Sequence, residues 1–170
     1  ASTTADQDWD EQAFSVEQKY PSAVVFHEDR LWFGGSPALP NGIWASQTGD
    51  YDNFNVDDAS ASDSIQVLLG SDQISEIRHL ISSRHLQIYT DSGEFYETSS
   101  STTSITPASI TLKRQTPFGC DRVQPQLLDG GTLFSQKSGK AIREFLFTDL
   151  ESAYSSNSIS TLSSHLIGTP

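Results

Sequence analysis

The sequence predicts an all-β fold made of consecutive antiparallel four-stranded meanders that resemble the blades of a β-propeller. The first observation is alternation, because Val24-x-Phe26 places apolar side chains on every second residue, as a half-buried strand requires. The second is that stretches rich in Gly, Pro, Asn and Asp separate these runs and favour turns. The third is repetition: the pattern starts again at Ile77 and at Val123, at intervals of about 50 residues, which is the length of a four-stranded blade.

This repeat divides the chain into segments. They are a polar N-terminal arm (residues 1–22) and a β-meander domain (residues 23–170), which comprises unit one (23–70), unit two (74–115), unit three (122–150) and a C-terminal connector (151–170). The arm is acidic, and its apolar residues Trp9, Phe14 and Val16 are expected to pack against the first sheet.

The elements of unit one are the clearest. Alternating apolar residues predict its first two strands, and residues 43–46 and 65–69 are expected to form the third and fourth. Unit two repeats this order and ends with a strand expected at 109–114, whereas unit three has three recognisable strands. The side chains expected in the core are Val24, Phe26, Leu31, Phe33, Ile77, Leu86, Ile88 and Phe134.

Three units predict an incomplete ring. A propeller needs at least about four blades to close, and the third unit is one strand short. The chain also contains no Met and starts abruptly with Ala-Ser-Thr-Thr. Together these features predict that the chain is a fragment of a longer protein.

Composition argues against several classes of partner. The net charge is −12 with only 10 Lys and Arg residues. A nucleic-acid surface, in contrast, needs Lys and Arg side chains clustered where they can face phosphates. No apolar run approaches the roughly 20 residues that span a bilayer. The single Cys120 rules out an intramolecular disulfide and has no basic neighbour to activate it, so a buried, inert thiol is expected.

No metal or cofactor motif stands out. The four histidines, His27, His79, His85 and His165, lack the spacing of zinc ligands, and no phosphate- or dinucleotide-binding loop occurs, so no cofactor is expected. The best cation candidate is a calcium loop at 50–58, whose carboxylates are Asp50, Asp52, Asp57 and Asp58. It lacks the Gly and the terminal Glu of an EF-hand, which favours the alternative of a solvated loop with Tyr51 and Phe54 turned inward.

Catalysis is not predicted. Glycoside hydrolysis would need two facing carboxylates, and nothing in the sequence places two of Glu28, Asp29, Glu94 and Glu97 in one cleft. A second set, the aromatic residues, either lines a carbohydrate groove or forms the core between sheets, and the core is the preferred interpretation. This set comprises Trp32, Phe33, Trp44, Phe95 and Tyr96. The near match Asp91-x-Gly93-x-x-Tyr96 to the Asp-box of sialidase propellers supports a turn, not an activity.

The stretch YPSAVVFHEDRLWFGG, followed by IWASQTGDYDNFN, resembles the tail nozzle proteins of short-tailed bacteriophages, also called tail tubular protein B. The likeness continues more loosely through LQIYTDSGEF, PFGC and the closing LSSHL, and covers about residues 9–167. It implies a structural virion protein, made in the bacterial host cytoplasm and placed in the phage tail. There it would belong to a hexameric tube through which DNA is ejected, in contact with other copies and neighbouring tail proteins.

An acidic wall suits such a conduit, because negative charge repels the phosphates that pass through it. Two alternatives remain at this point. One is a glycan- or receptor-binding propeller-like domain of a phage tail, and the other is a carbohydrate-active enzyme.

Overall fold

The computed structural model of the chain describes residues 14–56, 60–70, 74–98, 104–162 and 167. These residues form twelve β-strands, and the described part of the chain contains no α-helix. The strands are β1 (Ala23–His27), β2 (Arg30–Gly34), β3 (Gly42–Ala45), β4 (Ile65–Leu68), β5 (Ile77–Ser82), β6 (Leu86–Thr90), β7 (Glu94–Glu97), β8 (Leu112–Thr116), β9 (Gln126–Leu128), β10 (Gly131–Ser135), β11 (Ile142–Thr148) and β12 (Ala153–Ser158).

The strands form three antiparallel four-stranded meanders, one after another along the chain. The first sheet has the order β1-β2-β3-β4, the middle sheet β5-β6-β7-β8, and the third sheet β9 to β12 in sequence order. Each is a series of hairpins with neighbours in sequence paired in space, the simplest antiparallel topology. The prediction of an all-β fold with three propeller-like units is confirmed, and the described sheets do not close a ring.

The third unit corrects the sequence prediction. Residues after 150 were expected to be a connector, but Ala153–Ser158 pair with β11 as the fourth strand of the third sheet. Tyr154 is the only large apolar side chain of this strand, so the alternation that predicts a strand is nearly absent. The fourth strand of the middle sheet also begins later than expected, at Leu112, and ends at Thr116.

The first and middle sheets stack with β1 and β5 side by side. Ser22 Oγ donates to the Ile77 carbonyl at 2.9 Å, and His27 Nδ1 lies 2.9 Å from Ser82 Oγ at the other end of the two strands. The strands therefore run parallel, as successive blades do. Gly34 permits this close approach, because a Cβ there would come within 3.0 Å of the Ile77 side chain.

Two separate cores hold the three sheets together. The aliphatic junction lies between the first and middle sheets and buries Ala23, Trp32, Ile43, Ala45, Ile65, Leu69, Ile77, Leu80, Leu86, Ile88, Phe95 and Ile105. The aromatic junction lies between the middle and third sheets and buries Tyr89, Tyr96, Cys120, Phe134, Phe145 and Tyr154. In β6, Ile88 faces the first junction and its neighbour Tyr89 the second, so the middle sheet is covered on both faces.

The core prediction is confirmed for the middle and third sheets and wrong for the first strand. Ile77, Leu86, Ile88 and Phe134 are buried. Val24 and Phe26, in contrast, are 59% and 61% exposed, because the opposite face of β1 meets the middle sheet. Leu31 and Phe33 share the face of Val24 and Phe26 and are partly buried.

The described part of the N-terminal arm is a turn closed by a bridge between Ser15 and Lys19. Phe14 packs against the first sheet as expected, whereas Val16 is 73% exposed. Trp9, the third predicted anchor, lies outside the described residues.

Candidate assembly surface

The face of the first sheet that points away from the middle sheet is the strongest candidate for an interaction site. We call it the outer face. Strand register places Val24, Phe33, Trp44 and Gln66 in one row across its four strands, and pairs Phe26 with Leu31 in the next. No neighbouring sheet among the described residues covers this face. Apolar residues on a sheet face without a partner mark a surface that takes part in contacts.

The loop after β3 and the end of the arm fold over part of this face. Tyr51 meets Phe26 with ring centroids 5.1 Å apart, and Phe54 meets Phe33 at 5.5 Å. Phe14 packs edge-on against Phe33 and, at 5.0 Å, against Trp44. These contacts confirm the expectation that Phe54 turns inward, whereas Tyr51 touches Phe26 but remains 41% exposed. Together the rings form an aromatic layer over the sheet.

A cavity of about 340 Å³ opens beside this layer. We call it the outer-face pocket; its lining residues are Phe14, Trp44, Phe54, Val56, Ser64, Ile65 and Gln66. None of these side chains is charged, which is unusual on the surface of so acidic a chain. Trp44 Nε1 is buried, and no acceptor among the described residues bonds it. The apolar lining of this pocket suits an apolar group.

The proposed calcium loop does not gather its carboxylates in the described structure. Asp50 and Asp52 lie in an exposed turn whose backbone bonds run from Gln47 to Asn53. Asp57 and Asp58 lie outside the described residues. Among the residues that are described, no group of three or more metal-ligating side chains converges.

The four acidic residues considered for hydrolysis are separated by the fold. Glu28 and Asp29 form the β1–β2 turn, both with positive φ, at 46° and 54°. Glu94 and Glu97 are buried in β7, three residues apart, and therefore point to opposite faces of the middle sheet. Phe95 and Tyr96 between them face different junctions, which agrees with this alternation.

Glu94 is a buried acid with a raised pKa. Burial raises the pKa of its carboxyl from 4.5 to about 7, although Thr116 donates to Oε2 and the backbone amides of Phe118 and Gly119 favour the ionised form. The other oxygen, Oε1, has no partner among the described residues. The group lies under the connection between the middle and third sheets, where Cys120 N donates to the Thr90 carbonyl at 2.8 Å.

The described histidines lie at the junctions between sheets and not in a cluster. His27 bonds Ser82, His79 Nε2 lies 3.2 Å from the Asp121 carbonyl, and His85 Nδ1 lies 3.2 Å from the Tyr154 hydroxyl. Burial lowers the pKa of all three. His165 lies outside the described residues.

Cys120 is buried in the aromatic junction. Burial raises the pKa of its thiol to about 12, so the thiolate is suppressed at neutral pH. The sequence prediction of an inert cysteine agrees with this environment.

The aromatic residues considered for a carbohydrate groove are mostly core. Trp32, Trp44, Phe95 and Tyr96 are buried, and Phe33 is partly covered by the aromatic layer. The turn after β6, suggested by the partial Asp-box, is closed chiefly by Thr90, whose Oγ1 accepts from the amides of Ser92 and Gly93. The preferred interpretation as core between sheets is confirmed for Trp32, Phe95 and Tyr96, whereas Phe33 and Trp44 lie on the outer face of the first sheet.

Arg30 is a structural residue that the sequence did not reveal. Its side chain is 1% exposed and donates to the carbonyls of Ser46, Asp63 and Ala61 at 2.7, 2.5 and 3.0 Å. These bonds hold the loop that precedes β4, and with it one wall of the outer-face pocket. Arginine is ordinarily assigned to the surface, so the sequence gave no reason to expect that this side chain is buried. The only local signal is that Arg30 directly follows the β1–β2 turn.

No protein-family model matches the chain, and no curated protein is similar to it. Within the described residues, no helix is long and apolar enough to cross a membrane.

Proposed function

We propose that the protein is a structural component of a phage tail nozzle, the oligomeric tube through which DNA leaves the virion. It acts without catalysis and without a cofactor, in contact with other copies of itself and with neighbouring tail proteins. The observation that carries this proposal is the outer face, where Val24 and Phe26 are exposed near a pocket whose described lining residues carry no charge. Subunits of an assembly need such apolar surfaces, whereas a monomeric protein seldom exposes them together.

Three further features support the same role. The motifs around Tyr20–Phe54 resemble those of tail nozzle proteins. The three stacked meanders suit the rigid wall of a tube. The net charge of −12 disfavours retention of DNA in a channel. The protein would be made in the bacterial host cytoplasm and reside in the virion tail.

The test is negative-stain electron microscopy of the purified protein. Rings or short tubes with a central channel are expected. Uniform monomers at every concentration studied would contradict the proposal.

A glycan-binding role is the second candidate, and one observation favours it. The outer-face pocket has the aromatic residues Phe14, Trp44 and Phe54 in its lining, and a sugar ring could stack on such side chains. Saturable binding of host polysaccharide, lost in Phe54→Ala, would favour this role over the nozzle. Exposed Tyr20 provides the matched control, because Tyr20→Ala removes an aromatic ring outside the pocket.

A further inference from the structure

We propose that a cavity lined by Arg78 and Arg122 binds a phosphate group of a small molecule. The cavity has a volume of about 340 Å³ and lies between β1, β5 and the connection that leads to β9. We call it the arginine pocket. It shares no lining residue with the outer-face pocket. Binding there would be a property beyond the proposed structural role, and it can be present or absent independently of that role.

An irregularity in β5 places two neighbouring side chains on the same side of the strand. The pairing of β5 with β6 slips between Ile77 and His79, which leaves Arg78 as an extra, bulged residue. Ile77 and Leu80 therefore both face the aliphatic junction, although residues three apart in a regular strand point to opposite faces. Arg78 and His79 instead both donate to successive backbone carbonyls of the 120–121 segment, at 2.8 and 3.2 Å. Bulges that redirect side chains in this way are common beside binding sites.

Arg78 is held in place, but most of its donors are free. Its side chain is 15% exposed, and its only hydrogen bond to a described residue is the one from Nη1 to the Cys120 carbonyl. Glu76 Oε2 lies 3.6 Å from Nε, and Asp121 Oδ1 lies 3.9 Å from Nη1, both beyond hydrogen-bond distance. These carboxylates offset the charge of Arg78 without occupying its donors. Directed hydrogen bonds, and not long-range attraction, must therefore carry the binding.

Arg122 supplies a second guanidinium group. Its backbone amide donates to Asp121 Oδ1 at 2.8 Å, but no described residue bonds its side chain, which is exposed. Gln124 adds a side-chain amide to the same lining. The chain has only 10 Lys and Arg residues against 22 Asp and Glu residues. A cavity with two arginines and no carboxylate among its described lining residues is therefore unusual in this protein.

A phosphate group matches two guanidinium groups better than a carboxylate does. One guanidinium directs two parallel N–H donors at two oxygens, so a single arginine is enough for a carboxylate. A phosphate monoester has three terminal oxygens and up to two negative charges at neutral pH, which can engage both arginines. Burial lowers the pKa of His79, so the imidazole is neutral at pH 7 and the arginines alone supply the positive charge.

A phosphate titration followed by NMR tests the site. Inorganic phosphate is added to the isotope-labelled wild-type protein at constant ionic strength, with chloride as the reference anion. Saturable shifts are expected at the backbone amides of residues 78–80 and 122–124, and acetate should bind more weakly than phosphate. Shifts that do not saturate, or that lie elsewhere in the chain, would overturn the site. Acetate binding as tight as that of phosphate would overturn the ligand class.

Substitutions at Arg122 separate a specific site from general attraction. The residue is exposed, so Arg122→Gln should keep the fold, and it is expected to weaken phosphate binding by about tenfold or more. Arg122→Lys keeps the charge but loses the forked donors, so it should recover only part of this affinity. Lys140→Gln is the matched control, because it removes one exposed positive charge that does not line the pocket. Equal phosphate affinity of Arg122→Gln and Lys140→Gln would contradict the assignment.

Discussion

The two junctions on either side of the middle sheet differ in chemistry and in geometry. The aliphatic junction is filled by Ile, Leu, Ala and Trp32, and its sheets come closest at β1, β2 and β5. The aromatic junction is filled by Tyr and Phe rings with Cys120, and its sheets come closest at β8 and β12, the opposite edge of the middle sheet. The same four-stranded unit is therefore held in two different ways.

Both junctions contain buried polar groups, but only those of the aromatic junction share one acceptor. Gln87 Oε1 accepts from the Tyr89 hydroxyl at 2.8 Å and from the Thr132 hydroxyl at 2.7 Å. Glu94 lies in the same junction, and no Lys or Arg of the described residues lies at hydrogen-bond distance from its carboxyl. In the aliphatic junction Trp32 satisfies its only donor by bonding the His27 carbonyl at 3.0 Å. The aromatic junction thus adds a shared acceptor, Gln87 Oε1, and a buried acid with a raised pKa, Glu94, to its apolar burial.

The largest effect should come from a cavity in the aliphatic junction. Ile88 is fully buried there, and Ile88→Ala removes three carbon atoms that rigid sheets on both sides cannot replace. We expect the free energy of unfolding to fall by about 4 kcal/mol. Urea denaturation measures this loss, with Leu68→Ala on the exposed edge of the first sheet as the control. A loss no greater than that of the control would show that this junction is not the cohesive one.

The sequence predicted the two junctions unequally, and the reason is physical. Apolar alternation located most strands, because one buried face produces a period of two. In β1 and β2 both faces carry large apolar residues, Val24 and Phe26 on one and Val25 and Trp32 on the other, so alternation alone does not tell which face is covered. The inward face became clear only from the packing of the middle sheet.

Other features of the fold and the site had little or no local signal. β12 is almost entirely Ser, Asn and Ala, and it is a strand because β11 pairs with it along six residues. The outer-face pocket combines Phe14, Trp44 and Phe54 from three separate segments. The sequence predicted that Phe14 packs on the first sheet and that Phe54 turns inward, but not that the three side chains lie together. The burial of Arg30 and Glu94 depends on neighbours distant in sequence, which composition does not reveal.

A smaller effect, with a defined sign, should come from Glu94 in the aromatic junction. Its pKa is raised from 4.5 to about 7 on folding, chiefly by burial, so the stability it contributes is fully present below pH 4.5 and is lost as the pH rises through 7. At pH 8 the ionised group costs up to about 3 kcal/mol. Glu94→Gln removes this cost, and the variant should be more stable than the wild type at pH 8 but not at pH 4.5.

Comparing variant and wild type at each pH is essential for Glu94. Burial lowers the pKa of His27, His79 and His85, so their contribution is present above pH 6.5 and is lost as the pH falls. This opposite trend cancels in the difference between the two proteins. Exposed Glu151→Gln is the control, and an equal pH profile for both variants would refute the role assigned to Glu94.

The smallest effect should come from one hydroxyl of the aromatic junction. Tyr89→Phe keeps the ring contacts with Phe134 and Phe145 but removes the donor to Gln87 Oε1. Because Thr132 still donates to the same oxygen, the expected loss of unfolding free energy is about 1 kcal/mol. Tyr20→Phe at an exposed ring is the control. A double-mutant cycle with Thr132→Val then measures the coupling energy between the two hydroxyls through Gln87. A coupling energy of zero would mean that the two hydroxyls act independently. In that case the hydrogen bonds of this junction would add no cooperativity beyond that of the aliphatic junction.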